Sequence, residues 1–156
     1  MEPTAAFGAA VWLAMQAPKV CDLALHQLER LILSPQDASS YVLLSLPDGQ
    51  GWKPHVWLSY AEMDPLHEKR YVANPAAALP AQAWRSGDRL WMLHLIGPHG
   101  YDLETHRQVR TLFANRTART LSPRSHLLGQ RVCVWRGAQC APSMAQAYWQ
   151  QRPILA

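Results

Sequence analysis

Trp84-Arg85-Ser86-Gly87-Asp88-Arg89-Leu90-Trp91-Met92-Leu93-His94-Leu95-Ile96-Gly97-Pro98-His99-Gly100 decides the fold. Ser86-Gly87-Asp88 is turn chemistry, because serine and aspartate bond their own backbone and glycine tolerates conformations closed to other residues. Arg89–Ile96 is apolar on both faces, the pattern of a strand buried inside a sheet. Gly97-Pro98 ends it, since proline offers no N–H to a ladder. One ionisable side chain, His94, sits in the middle of this run, on the face shared by Leu90, Met92 and Ile96.

Working outward, Tyr41–Leu46 and His55–Tyr60 read as two strands joined through Pro47-Asp48-Gly49-Gln50-Gly51. Asp64-Pro65 is an N-cap followed by proline at the first helical position, with a helix expected to about Tyr71. A second capped helix is expected from Asp102 through Phe113, strands at Thr117–Leu121 and Arg131–Arg136 with Ser122-Pro123 between them, and a last helix capped by Ser143 and running through Gln150. Near the start, Cys21, Ala24, Leu25, Leu28, Leu31 and Ile32 recur at helical spacing. The expectation is a helix from Val20 to Leu33, opened after Pro18, closed by Pro35 and packed near His94. The order α-β-β-α-β-α-β-β-α is that of an α+β sandwich with a mostly antiparallel sheet flanked by helices.

At 156 residues and 49% hydrophobic, the chain is read as one domain, 1–156, with a sizeable core. No apolar run approaches the roughly 20 residues of a membrane helix, and the N-terminus lacks the pattern of a secretory signal. Three cysteines, Cys21, Cys133 and Cys140, stand at no metal-ligand spacing, so no metal and a cytoplasmic location are expected. The formal charge is +4. Arginines gather beyond residue 100: Arg107, Arg110, Arg116, Arg119, Arg124, Arg131, Arg136 and Arg152. Such a half is either a solvated surface or an attractant for an acidic partner. No zinc finger, RNA-recognition signature or Lys/Arg block points to nucleic acid.

The 84–100 stretch resembles the signature of the toxin-activating lysine acyltransferases, bacterial enzymes that attach fatty acyl groups to internal lysines of RTX toxins. That family carries a tryptophan, Ser-Gly-Asp-Arg, an apolar strand bearing an acid, then Ile-Ala-Pro and a glycine. Two further blocks join it: Trp12-Leu13 with the Pro18 step, and Pro54-His55-Val56-Trp57-Leu58-Ser59-Tyr60-Ala61 continuing to Glu68 and Tyr71. The resemblance spans roughly residues 7–136 and implies a Gcn5-related N-acetyltransferase-like sandwich. It implies acyl carrier protein as acyl donor with no tightly bound cofactor, a protoxin-like protein as acceptor, and a homodimer as one expected assembly.

The departures fall on the family's catalytic pair. Its histidine, near the start of the first helix, corresponds to Val20 when counted from Trp12 and to Cys21 when aligned on Pro35. Its strand aspartate is His94 here, and the serine before its proline is Ala17. Acyl transfer to lysine needs a proton acceptor, donors for the thioester oxyanion and an apolar slot. His94 has the side chain for the first task. Cys21 is the candidate thiol nucleophile, with His94 as its base. His26, five residues past Cys21, is a substitute base only if the helix shifts. His99 is expected in a loop, and His55, His67, His106 and His126 at the surface. Asp88 is expected to hold the turn into the strand and Arg89 to pair with a carboxylate. Trp12, Trp57, Trp84 and Trp91 are expected in the core. The alternative reading is an inactive acyltransferase-like protein that serves as a binding module or adaptor, and its motive is the loss of both catalytic side chains.

Overall fold

The computed structural model describes residues 2–123 and 130–155. The expected positions Arg124 and His126 lie outside the described residues. The elements run α1 (Pro3–Gln16), a π-helical turn (Glu29–Leu33) continuing into α2 (Ser34–Asp37), β1 (Tyr41–Asp48), β2 (Gly51–Met63), α3 (Pro65–Ala73), a 3-10 turn (Ala81–Trp84), β3 (Arg89–Ile96), α4 (Leu103–Leu112), β4 (Thr117–Pro123), β5 (Gln130–Arg136) and α5 (Pro142–Gln150). The five strands form one sheet in the order β1-β2-β3-β4-β5. The β1–β2 and β4–β5 pairs are antiparallel. The β3–β4 pair is parallel, through Trp91↔Arg119 and Met92↔Thr120. This is the expected α+β architecture, consistent with a Gcn5-related N-acetyltransferase-like sandwich, and β3 occupies the middle of the sheet as its two apolar faces require. No helix among the described residues is long and apolar enough to cross a membrane.

Contacts divide the chain into two compact units, Met1–Tyr60 with His94–His106, and Ala61–Leu93 with Arg107–Ala156. The core of the first unit is Ala10, Leu13, Ala14 and Ala17 of the N-terminal segment, Leu31 and Ile32, Trp57 of β2 and Ile96 of β3. The helix α1 that supplies much of it was not expected. Its sequence holds no charged residue, so no polar face marks it in the sequence.

The expected helix Val20–Leu33 is corrected. Residues 18–22 form tight turns instead, with the N–H groups of Val20 and Cys21 both donating to Ala17 O. Valine, cysteine and aspartate at 20–22 are weak helix formers, and the apolar period there is accidental: Leu25 is 84% exposed. Helical structure starts later and does not stop at Pro35, which lies inside α2. The π turn before it makes this passage feasible, because Ser34 N–H bonds Glu29 O one residue beyond the usual register.

Smaller corrections concern caps and ends. Ser122 and Pro123 belong to β4 rather than to a break after it. The N-cap of α5 is Ala141 with Pro142 at the first helical position, so Ser143 lies inside the helix and caps nothing. The other two caps are as expected: Asp64 accepts from His67 N–H and Asp102 from Thr105 N–H, each at 2.8 Å. Trp57, Trp84 and Trp91 are buried, but Trp12 is 38% exposed, with the Lys53 ammonium 5.5 Å from its ring centre.

Candidate active site

The signature turn is explained within the second unit. Gly87 N–H donates to Glu62 O, and a Cβ at Gly87 would stand 2.6 Å from Met63 O. Only glycine fits that approach. Ser86 Oγ accepts from Asp64 N–H and donates to Ala83 O, tying the turn to the cap of α3. Asp88 does not close the turn alone. Its carboxylate accepts two bonds from Arg152, and Tyr148 Oη donates to its backbone carbonyl. The Arg152 guanidinium holds the Asp88 carboxyl below the usual carboxylate range.

Arg89 pairs with a carboxylate as expected. Glu68 of α3, fully buried, accepts from Arg89 Nη1 at 2.6 Å, from Arg119 Nη1 at 2.7 Å and from Trp91 Nε1 at 2.9 Å. One carboxylate thus fixes two residues of β3 and one of β4. It is buried with both oxygens satisfied, so the charge is tolerated. The arginines after residue 100 are therefore not one solvated patch, which corrects the sequence reading. Arg119 is buried, Arg116 pairs with Glu62, Arg152 with Asp88, and Arg110 Nη2 reaches Gly137 O. Arg107 and Arg131 are exposed.

His94 lies in the first unit, half-buried on β3. Its backbone N–H donates to Ser59 Oγ at 3.2 Å, and Ser59 is fully buried. Burial, reinforced by the positive charge of Arg30, pushes the imidazole down to about 4. His94 is consequently neutral at pH 7 and able to accept a proton.

The two sequence positions that compete for the family's missing histidine part company. Val20 packs against the core that contains Ile96 and Trp57. Cys21 is exposed rather than on an apolar face, and its Sγ donates to Pro18 O at 3.7 Å. No hydrogen bond joins Cys21 to His94 among the described residues. His26 is exposed outside any helix, and His99 is exposed as expected.

His55 is a correction: it is buried, not a surface residue. Register shifts between Leu44 and Ser45, whose partners are Val56 and Pro54, so His55 is the extra residue of a bulge. Pro54, without an N–H, favours that break in the ladder. The bulge places His55 Nε2 3.3 Å from Asp102 Oδ2, at ion-pair distance but outside hydrogen-bond alignment. Strand alternation gives no hint of this contact. His67 Nδ1 meets Asp64 at 2.9 Å, and His106 lies edge-on to Tyr101.

A mixed sheet of this order, with the Ser-Gly-Asp-Arg turn feeding its central strand, is the α+β class consistent with a Gcn5-related N-acetyltransferase-like sandwich. A model of the RTX toxin acyltransferase family matches residues 1–136. The chain is 34% identical over 147 residues to the protein-lysine palmitoyltransferase CyaC of Bordetella bronchiseptica, covering 92% of this chain and 76% of that protein. It is 25% identical over 152 residues to the protein-lysine myristoyltransferase HlyC of Escherichia coli, covering 96% and 85%. It is 26% identical over 144 residues to the RTX-I toxin-activating lysine-acyltransferase ApxIC of Actinobacillus pleuropneumoniae, covering 92% and 81%. The chain belongs to the RTX toxin acyltransferase family.

Proposed function

We propose that this protein moves a fatty acyl group from acyl carrier protein to the side-chain amine of internal lysines in an RTX-toxin-like protein, with His94 as the proton acceptor. The observation that carries the reading is the family match over residues 1–136, reinforced by relatives named as protein-lysine acyltransferases. Because those relatives are transferases, catalysis is favoured over a binding or adaptor role.

Burial keeps His94 neutral and so ready to accept a proton, and also makes it a weaker base than a free imidazole. A lysine arriving as free amine attacks the thioester carbonyl, the C–N bond forms, and the attacking nitrogen becomes a cation more acidic than a free lysine ammonium. A neutral imidazole, even one depressed to about 4, accepts that proton while the C–S bond breaks and the thiolate leaves. The proton then passes to the thiolate. Direct attack fits the present geometry better than a Cys21 acyl-enzyme, since Cys21 bonds Pro18 and not His94. Exposed Arg107 and Arg131 are suited to an acidic carrier protein, in a cytoplasmic setting where such carriers are charged with acyl groups.

Intact-mass analysis of a candidate protoxin, incubated with palmitoyl-acyl carrier protein and this chain, tests the reading. One acyl increment per modified lysine is expected. No increment on an acceptor that a family relative acylates in parallel overturns it.

A further inference from the structure

β5 closes one end of the sheet, and no strand pairs with its outer edge among the described residues. Edges of this kind are usually blunted by a bulge, a proline or a charge in mid-strand. β5 has none of these. Its ladder with β4 runs without a register shift from Gln130 to Arg136, it holds no proline, and Val132-Cys133-Val134-Trp135 carries no charge. Backbone groups along a strand point alternately to its two edges, so a row of them on β5 faces away from β4.

A groove of about 470 Å³ runs between β5 and α5 in the same unit. Val134 and Arg136 line it from β5, and Ala145, Gln146 and Trp149 from α5. Residues two apart on a strand share a face, so the groove lies against one face of the edge strand. Val134 is 53% exposed there. The helical wall is fixed in place: Trp149 Nε1 donates to Thr117 Oγ1 at 2.9 Å, and the Arg119 guanidinium lies 4.1 Å from the ring centre. An open edge with a groove along one face is the setting for strand addition. Main-chain hydrogen bonds along the edge supply affinity, and every second side chain of the added segment meets the groove.

Charge decides what kind of segment fits. No aspartate or glutamate follows Glu104 in the sequence. Past the end of β5, two arginines hold the 137–140 turn: Arg110 Nη2 donates to Gly137 O at 3.4 Å and Arg136 Nη1 to Cys140 O at 3.1 Å. Neither has an acidic partner among the described residues, and Arg110 Nε is buried without a hydrogen-bond partner. Arg116, Arg119 and Arg152, by contrast, each meet a carboxylate. A guanidinium carries five donors, so most of the capacity at this turn is unused. Two such cations beside an apolar wall select an incoming segment that carries both acidic and apolar side chains. A bare hydrocarbon would leave the edge amides and both guanidiniums unmatched.

We propose that β5 is a docking edge for an extended acidic segment of a protein partner, which adds to the five-stranded sheet, sets apolar side chains against Val134 and places a carboxylate on Arg136. The seven residues of β5 offer about 23 Å of edge. Docking here needs nothing from the transfer reaction and stands or falls apart from it.

The probe is a fluorescein-labelled peptide of alternating glutamate and valine, about eight residues long, titrated with the full-length protein. Its fluorescence anisotropy should saturate, and the affinity should fall as salt rises. Two further copies, N-methylated at every valine or at every glutamate, keep the side chains and remove one row of N–H groups each. At least one of them should bind about tenfold or more weakly. Hydrogen exchange at residues 130–136 should slow when the parent peptide binds. Arg136→Glu should weaken the peptide about tenfold or more and gain binding to a lysine–valine peptide, a reversal that an unfolded variant cannot show. Gln146→Trp, which narrows the groove from an exposed position, should also weaken it. Lys19→Glu, the same change of charge at an exposed position in the other unit, should bind as wild type. No saturation below about 1 mM, undiminished affinity for both N-methylated copies, or slowed exchange confined to other segments overturns the proposal. So does slowed exchange at 130–136 that grows with protein concentration alone, since the edge then belongs to a second copy of this chain.

Discussion

Trp57 donates its indole N–H to the carbonyl oxygen of Leu31 at 3.2 Å. In an ordinary helix that carbonyl accepts from the residue four positions on, which is Pro35, a residue with no N–H. The tryptophan of β2 thus donates to a carbonyl to which Pro35 cannot donate, and stacks on Tyr41 at 4.3 Å between ring centres. Trp57→Phe keeps most of the ring contact and strands a buried carbonyl. The expected cost is about 1–3 kcal/mol in urea unfolding. Pro35→Ala supplies an N–H nearby, so the double variant should lose less than the sum of the single ones. Strict additivity would break the proposed link.

The buried Glu68 network should be intolerant of losing its charge. Glu68→Gln leaves Arg89 and Arg119 facing a neutral amide, and breaking one side of a buried ion pair costs about 3–5 kcal/mol. Urea unfolding that shifts by less than about 1 kcal/mol would show that water compensates the two guanidiniums.

Gly87→Ala tests the signature turn. The added methyl carbon meets Met63 O at 2.6 Å and the Asp64 backbone at 2.7 Å, and backbone atoms cannot rotate away as a flexible side chain can. A loss of about 1–3 kcal/mol is expected, the scale of an overpacked site. An alanine variant as stable as wild type would show that the turn shifts freely.

How far the sequence reveals this protein depends on which interactions were local. β3 is legible to the residue, because eight apolar-rich positions bounded by Ser-Gly-Asp and Gly-Pro admit few other readings. The caps at Asp64 and Asp102 are legible because the capping residue and its acceptor geometry lie within four positions. Helix α1 is not, because amphipathic contrast is absent from a segment without charges. The 20–33 segment misleads for the opposite reason: it has the contrast, but Leu25 points to water and the chain turns where Val20-Cys21-Asp22 resist a helix. The contacts of His55 and Arg119 depend on a bulge and on a partner 51 residues away, neither of which periodicity encodes. The expectation that Arg89 meets a carboxylate was readable; that the carboxylate is Glu68, shared with Arg119, was not.

His94 yields the sharpest prediction, because its pKa acts on stability and on rate in different windows. Its pKa is about 4 in the folded protein against 6.5 for the free side chain, so between those values the unfolded chain binds more protons. Stability therefore rises with pH across that window and is lost as pH falls through it, by at most about 3.4 kcal/mol. His94→Asn, which does not titrate, should remove that slope from unfolding curves measured between pH 4 and 7. An unchanged slope would assign the titration to other groups. For acyl transfer, the acid limb set by His94 should appear near its depressed value rather than near 6.5, and His94→Ala should lower the rate by about 100-fold, the usual scale for a lost general base. Cys21→Ser should leave turnover intact if lysine attacks the thioester directly, and should abolish both turnover and any covalent acyl-enzyme if the thiol is the nucleophile. Transfer that survives His94→Ala removes His94 from both schemes.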